Sequence, residues 1–262
     1  MKIDHKESYS DFGNQFTVDD KIDDYWGSKE MFLDVIFPFD PSVLKKKDVM
    51  EVGSGSGRIL KNLLKFSPRK IYSIEPSKAI EVAKKNNKSD KIQFINIKGE
   101  DINFVNKFDY IFSLGVIHHI PDGNKVVRNI HKALKKNGKF VCWVYGYEGN
   151  ELYIFLFNNL RRITSIIPDK LLRIISSLLN CFLYIYIFLC KFLKLPLRHY
   201  LLKHFNKLSF EKRNYTIFDQ LNPSYSKYYK KEEILNLMKS NNFKNVEIFH
   251  RHKYSWTIIA EK

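Results

Sequence analysis

The sequence predicts an α/β protein with a Rossmann-like, doubly wound, mostly parallel sheet of seven strands. Segments with strand and helix periodicity alternate from about residue 45 to residue 145, and such alternation indicates a parallel sheet with helices on both faces. A glycine-rich turn at residues 53–57 stands directly between the first strand and the first helix. Two short apolar segments near the end of the chain add an antiparallel hairpin at one edge of the sheet.

Each element follows from its local pattern. Apolar and β-branched runs predict strands at residues 48–52, 70–75, 91–97, 108–114, 139–145, 246–250 and 254–260. A helix follows Gly57, a second begins with Ser77 as its N-cap and runs to about Asn87, and a third covers residues 122–136 before Asn137. A last helix is expected at residues 231–241.

The regular pattern is interrupted after the fifth strand. Residues 150–205 have helical periodicity and are unusually apolar, with Pro168 and Pro196 ending or bending the helices. The uncharged run between Arg173 and Lys191 has 17 residues, fewer than the ~20 of a membrane-spanning helix, so we expect no span. Basic residues surround this run, and three interpretations stay open: a helical cap over an acceptor pocket, a homodimer interface, or peripheral docking on an anionic membrane.

We therefore expect a single domain over residues 1–262. Its segments are an N-terminal helical segment at 1–44, a ligand-binding core at 45–149, a helical cap insertion at 150–210, and a C-terminal helix and hairpin at 211–262 that complete the sheet.

Charge and cysteine content limit the partners. The net charge of +16 is spread over runs rich in Lys and Asn, so general solubility explains it better than a polyanion site, and nucleic acid is disfavoured. The three cysteines lack metal-ligand spacing, so neither a disulfide framework nor a metal site is expected. The first residues lack the apolar core of a signal peptide, and a cytoplasmic location, with the inner face of the membrane as an alternative, is expected.

The glycine turn has the spacing Gly-x-Gly-x-Gly at Gly53, Gly55 and Gly57. Arg58 stands where a dinucleotide-binding turn has its third glycine, which favours a cofactor without a diphosphate. Glu51 precedes the turn, where an anion repels a diphosphate but attracts an ammonium. Glu75 ends the second strand, where a carboxylate in such folds accepts hydrogen bonds from both ribose hydroxyls.

Four segments, in order, resemble those of class I S-adenosylmethionine-dependent methyltransferases of the small-molecule type, and this match covers residues 45–145 firmly and the last 35 residues loosely. Residues 145–151, 215–229 and 250–256 also resemble a bacterial subgroup of these enzymes. The segments are residues 51–57, 75–77, 99–101 and 112–121. The resemblance implies S-adenosylmethionine as cofactor, without a metal. The residues it assigns to the cofactor are Glu51, Gly53, Ser54, Gly55, Gly57, Arg58, Glu75, Pro76, Ser77, Glu100, Asp101, Ser113, Leu114 and Gly115.

Polar and aromatic residues beyond the fourth and fifth strands are the candidates for the acceptor side. The catalytic candidates are His118, His119, Tyr145 and Glu148. In the methyltransferase resemblance the two histidines also serve to shape the cofactor pocket. The substrate candidates are Tyr25, Tyr147, Asn150, Asp219, Gln220, Asn222, Tyr225, Tyr229 and His250.

The expected reaction is transfer of a methyl group to an O or N atom of a small or amphiphilic acceptor, lipid-linked or sugar-linked acceptors included. Two alternatives stay open: an NAD(P)-dependent oxidoreductase and a non-catalytic protein that binds S-adenosylmethionine. The sequence Ser-Leu-Gly-Val at residues 113–116 lacks the Asn/Asp-Pro-Pro-aromatic motif of enzymes that methylate amino groups of bases. RNA methylation by another route stays open.

Overall fold

The computed structural model describes residues 24–164, 166–221 and 226–262, with only the backbone for Arg162, Asp169 and Asp219. The chain forms two compact units, one from residues before 151 together with residues after 223, the other from residues 151–223. The first unit holds the sheet, and the second is helical.

The first unit contains the predicted seven-stranded sheet, in the order β3-β2-β1-β4-β5-β7-β6. Strands β1 to β5 are parallel to one another, whereas β7 is antiparallel to both β5 and β6. The predicted fold class is confirmed, including the antiparallel edge hairpin. The strands are β1 Asp48–Val52, β2 Lys70–Ile74, β3 Ile92–Ile95, β4 Phe108–Leu114, β5 Leu134–Tyr145, β6 Lys244–Arg251 and β7 Ser255–Glu261.

Helices cover the sheet on both faces because each strand alternates its side chains between two apolar clusters. On one face, Val49 and Val141 pack in a cluster with Leu60 and Phe32. On the other face, Met50 packs in a cluster with helix residues such as Val126 and Ile234. The helices of this unit are α1 Lys29–Ile36, α2 Arg58–Leu64, α3 Ala79–Asn86, α4 Gly123–Ala133 and α9 Lys231–Ser240.

Two predicted boundaries are wrong. Helix α4 ends at Ala133 rather than near residue 136, and β5 already begins at Leu134, which pairs with Phe108. The register then shifts before Lys139 pairs with Tyr110, and Asn137 takes a left-handed φ of 62° within this irregular stretch. Ser77 is not the residue next to α3, which begins at Ala79, but its hydroxyl accepts the Ala79 N–H over 3.2 Å and donates to the Glu75 carboxylate over 2.6 Å.

The second unit is helical, as predicted for the insertion, with α5 Glu151–Thr164, α6 Asp169–Phe192, α7 Arg198–Lys203 and α8 Phe210–Leu221. The compact unit runs to residue 223 rather than 210, because α8 packs on α6 through a hydrogen bond from Asn214 Nδ2 to Ser177 Oγ. The length of the uncharged run underestimated the length of α6, because the helix continues past the basic residues at both ends of that run. Over residues 170–192 it is long and apolar enough to cross a membrane by length and composition.

Candidate cofactor and acceptor site

The glycine turn after β1 depends on backbone conformations that side chains disfavour. Gly53, Gly55 and Gly57 have φ values of 80°, 51° and 88°. A Cβ atom on Gly53 would lie 2.4 Å from Cγ2 of Val116. The backbone of the turn therefore passes directly against the loop after β4, which is the close approach that the absent side chains allow.

Helix α3 fixes the far end of this turn. Asn87 Nδ2 donates to the Gly57 carbonyl over 3.1 Å, and Asn86 Nδ2 donates to the Ser56 carbonyl over 3.1 Å. Because Asn87 fills the space where a Gly57 side chain would stand, the turn and α3 form one packed corner at the carboxyl end of the sheet.

Glu75 lies at the center of this corner and is buried. Its Oε2 accepts the Gly55 backbone N–H over 2.9 Å, and its Oε1 accepts the Ser77 N–H over 3.0 Å and the Ser77 hydroxyl over 2.6 Å. A carboxylate offers about four lone-pair sites. The three bonds therefore orient the group and leave acceptor capacity for a ligand hydroxyl.

Glu51 is fully buried near the end of β1, and its Oε2 has no hydrogen-bond partner among the described residues. Burial raises its pKa well above the ordinary range, the negative charge of Glu75 raises it further, and the positive charge of Arg58 opposes both. A buried carboxyl oxygen without a partner costs free energy unless a ligand supplies a donor. This atom fits an ammonium group of a bound cofactor.

The remaining predicted cofactor residues lie at the ends of neighbouring strands. Glu100 and Asp101 form a short 3-10 turn that Asn129 holds by donating to the Glu100 carbonyl over 2.8 Å. Ser113 is buried, and its hydroxyl contacts the Val52 carbonyl over 3.4 Å. Gly115 has a φ of 81° and donates to the Trp143 carbonyl over 3.0 Å.

A cluster of aromatic rings stands beyond β4 and β5, and we call it the aromatic cluster: His118, His119, Trp143, Tyr145 and Tyr228. The rings of His118 and Tyr145 are 3.9 Å apart between centroids, those of His118 and His119 are 4.2 Å apart, and Tyr228 stacks on Tyr145 at 5.5 Å. The structure thus brings three of the four catalytic candidates together.

His118 is fully buried in this cluster, and neither of its ring nitrogens has a hydrogen-bond partner among the described residues. Burial lowers the pKa of His118 well below its ordinary value, and the neighbouring His119 lowers it further. The ring is therefore neutral near pH 7, with one nitrogen able to accept a hydrogen bond.

Glu148, Asn150 and His250 have structural partners nearby rather than places in the aromatic cluster. Glu148 Oε1 accepts the Lys231 N–H over 2.9 Å at the start of α9. Asn150 Nδ2 donates to the carbonyls of Gly146 and Tyr254 over 2.8 and 2.6 Å. His250 stacks on Trp256 at 4.1 Å.

The other substrate candidates are spread more widely. Tyr229 is buried and pairs its backbone with Tyr145, while Lys230 lies 5.0 Å over the ring of Tyr147. Gln220 belongs to the second unit, where its side chain accepts the Tyr153 hydroxyl. Asn222, Tyr225 and the side chain of Asp219 lie outside the described residues.

Tyr25 packs beside an ion pair that sequence reasoning missed. Arg251, at the end of β6, binds the Asp34 carboxylate, and His252 lies 2.9 Å from the same group. Burial raises the pKa of Tyr25 to about 12, with further raising by Glu30 and Asp34 against the opposing charge of Arg251. Trp143 was also missed, although its spacing of two from Tyr145 places both on one face of β5.

Comparisons with known proteins identify the core. A family model described as a methyltransferase domain matches residues 50–142. The tRNA U34 carboxymethyltransferases of Nautilia profundicola and Campylobacter jejuni subsp. doylei are each 33% identical, over 113 and 132 residues. These matches cover 41% and 47% of this chain, and 37% and 43% of the relatives, so the chain spans less than half the length of the curated relatives it matches.

Solved structures agree on the fold. An S-adenosylmethionine dependent methyltransferase from Mesorhizobium loti superposes with a TM-score of 0.54 at 11% identity, covering 90% of this chain and 97% of that one.

The names of the curated relatives contradict the expectation that nucleic acid is disfavoured as a partner, because those proteins are named for action on tRNA. The charge argument failed because even spacing of lysines along the sequence does not exclude a polyanion partner. The glycine turn, the parallel core and the matched family model together show that residues 50–142 of this chain belong to a methyltransferase domain, with the fold of class I S-adenosylmethionine-dependent methyltransferases.

Proposed function

We propose that this protein transfers the methyl group of S-adenosylmethionine to an O or N atom of an acceptor bound beside the aromatic cluster. The observation that carries the proposal is the hydrogen bond between Gly55 and Glu75, which joins the left-handed glycine turn to a buried carboxylate. When bound, the cofactor supplies a methyl group on a sulfonium, a good leaving group that needs no acid from the protein.

The residues at the sheet edge fit this cofactor. The backbone of Gly53, Gly55 and Gly57 offers the close approach that its methionine part requires. The unpartnered Oε2 of Glu51 suits the ammonium group, and Glu75 suits the ribose hydroxyls. The turn containing Glu100 and Asp101 would accept a hydrogen bond from the adenine amino group.

The aromatic cluster supports the acceptor side of the proposal. Closely packed rings exclude water and fix the direction of approach, and alignment supplies most of the acceleration in a displacement reaction. A neutral His118 holds the hydroxyl or amine of an acceptor by accepting a hydrogen bond from it. Full burial opposes formation of an imidazolium ion, so His118 does not take up the proton. His118 therefore orients the acceptor, and the half-buried Tyr145 forms the wall against which it packs.

The acceptor has two candidate classes. A small or amphiphilic molecule suits an apolar ring cluster of this kind. A nucleoside of tRNA is the second candidate, because the curated relatives are named tRNA U34 carboxymethyltransferases and the chain carries a net charge of +16. The group transferred differs between those relatives and this proposal, and mass spectrometry of the product distinguishes methyl from carboxymethyl.

Calorimetric titration with S-adenosylhomocysteine, with NADH in parallel, tests the cofactor. Binding of S-adenosylhomocysteine alone supports the proposal, whereas binding of NADH alone would replace it with the oxidoreductase alternative. Radiolabelled S-adenosylmethionine is then supplied with bulk tRNA or with an extract of small molecules and lipids. Label in either pool supports methyl transfer, and binding without transfer to any pool would favour a non-catalytic binding protein.

A further inference from the structure

Helix α6 exposes an apolar face along its whole length. Its members follow one another at intervals of three or four residues, which places them in one line on a helix. We call them the apolar stripe: Leu171, Ile174, Leu178, Phe182, Ile185, Phe188 and Phe192. Phe182 is 70% exposed and Phe192 is 73% exposed. An exposed apolar strip of this length requires a covering partner.

The buried face of α6 carries uncharged polar side chains. Ser176, Asn180 and Cys190 are fully buried, beside Leu172 and Ile187. The Asn180 amide donates to the Phe210 carbonyl of α8 over 2.8 Å. A surface helix in water has the opposite arrangement, with its polar side outward. Polar residues turned toward protein and apolar residues turned outward are typical of helices in contact with lipid.

The charges around the stripe indicate the kind of lipid. Residues 170–210 contain no acidic residue and seven basic ones, which are Lys170, Arg173, Lys191, Lys194, Arg198, Lys203 and Lys207. Two precede the uncharged part of α6 and the others follow it, so both ends of the apolar stripe are basic. Apolar helices with flanking basic residues bind anionic bilayers through combined insertion and attraction.

The same charges disfavour two other partners. Residues 151–223 contain eleven basic and four acidic residues, a net charge of +7. A second copy placed on the apolar stripe would bring two such charges together, which opposes association. RNA would satisfy the basic residues but would leave the apolar side chains in contact with a polyanion.

The helix packed against α6 determines how it can meet a bilayer. Helix α8 contacts the buried face of α6 and carries Glu211, Lys212 and Arg213 in its first turns. If α6 crossed the bilayer, these charged residues would enter the hydrocarbon, at a high cost in free energy. We propose that α6 lies parallel to an anionic membrane surface, with the apolar stripe inserted and α8 facing water.

The native cysteines allow a direct test on the full chain. Cys181 lies on α6 beside Phe182 and is exposed, whereas Cys142 and Cys190 are buried. A maleimide carrying an environment-sensitive fluorophore therefore labels Cys181 selectively in the folded protein. We expect a blue shift of emission with vesicles of phosphatidylcholine and phosphatidylglycerol, a much smaller one with phosphatidylcholine alone, and quenching by brominated acyl chains.

Matched variants separate insertion from charge. Phe182→Ser and Phe188→Ser remove apolar area from the stripe without changing charge, and each is expected to weaken vesicle partitioning roughly tenfold. Val105→Ser is the control, because Val105 is an exposed apolar residue, 69% exposed, in the other unit. Circular dichroism and titration with S-adenosylhomocysteine check that each variant keeps its fold and its cofactor site.

Several results would overturn the proposal. No binding to anionic vesicles, or binding that the two serine variants leave unchanged, would show that the apolar stripe does not insert. Dimers in sedimentation velocity that Phe182→Ser dissociates, without vesicle binding by the wild type, would identify a second copy as the partner. Loss of tRNA binding in Phe182→Ser, again without vesicle binding, would assign the face to RNA. Failure of the proposed methyl transfer would leave these measurements unaffected.

Discussion

The Gly55 backbone N–H donates to Glu75 Oε2 over 2.9 Å, so the turn after β1 is tied to the end of β2 by a charged acceptor. Glu75, which is predicted to bind the ribose hydroxyls, therefore also holds the glycine turn in place. Because hydrogen bonds to charged groups are stronger than neutral ones, this bond contributes to the order of the turn before any ligand arrives.

Replacing Glu75 by glutamine should weaken S-adenosylhomocysteine binding by about 10- to 100-fold, because the neutral amide is a poorer acceptor for the turn and for ribose hydroxyls. Calorimetric titration measures the change. Glu81→Gln is the matched control, since Glu81 is exposed on α3 and its carboxylate forms a salt bridge with Lys84 over 2.7 Å. Equal affinities of the two variants would remove Glu75 from the cofactor site.

Gly53→Ala tests the close approach of the turn to the loop after β4. The new Cβ would lie 2.4 Å from Val116 at a φ of 80°, so we expect a loss of about 2–4 kcal/mol in unfolding free energy. Urea unfolding measures it. Gly115→Ala has a similar φ of 81° but only ordinary contacts at 3.4 Å, and should lose only the strain. Adding Val116→Ala should restore part of the loss in Gly53→Ala, and no restoration would contradict the steric explanation.

The cofactor half of the site could be predicted because its signals are local. The residue type of Gly53, Gly55 and Gly57 predicts left-handed conformations, and Glu75 follows at the end of the next strand. Parallel strands place residues at their carboxyl ends along one edge of the sheet, whatever the conformation of the connecting loops. The boundary of α4 was missed because the irregular register of β5 near Asn137 depends on pairing with β4, which lies far away in sequence.

The acceptor side was less predictable because it is assembled from distant segments. Tyr228 reaches Tyr145 from a segment more than eighty residues later, and Arg251 meets Asp34 from the opposite end of the chain. Histidines and tyrosines are common in both structural and functional positions. Residue type alone therefore could not tell that Tyr145 belongs to the aromatic cluster and that His250 does not. The strand parity that links Trp143 to Tyr145 was the available signal.

His118 should make the protein sensitive to acid. Burial and the neighbouring His119 depress the pKa of His118 in the folded state, whereas in the unfolded chain this pKa has its ordinary value of about 6.5. Below that pH the unfolded state binds a proton that the folded state does not, so stability falls as pH decreases, by at most about 1.4 kcal/mol per pH unit.

His118→Phe should therefore flatten the decline in melting temperature between about pH 6.5 and pH 5. His131, whose pKa burial also lowers, remains in both proteins and cancels in the comparison. His199→Gln is the control, because His199 is exposed. Parallel pH profiles of His118→Phe and the wild type would mean that His118 is protonated in the folded state.

The Arg251–Asp34 ion pair joins the end of β6 to α1. Removing one of its two charges should destabilise the protein more than removing both. The Arg251 side chain is only 6% exposed, and its Nε also donates to the Asp34 carbonyl over 3.2 Å. Burial raises the pKa of Asp34, but the charge of Arg251 and hydrogen bonds from His252 and Arg251 outweigh it and lower the pKa to about 2. The stabilisation is therefore complete above about pH 4 and is lost as pH falls through 2.

Asp34→Asn should cost about 3–5 kcal/mol of unfolding free energy at pH 7, because it leaves the Arg251 charge buried and without its carboxylate. The double variant Asp34→Leu and Arg251→Met removes both charges, so it should recover most of that loss. Urea unfolding at pH 7 compares the three proteins. If the double variant is as unstable as Asp34→Asn, the loss comes from packing between α1 and β6 rather than from the uncompensated charge, and the electrostatic explanation is wrong.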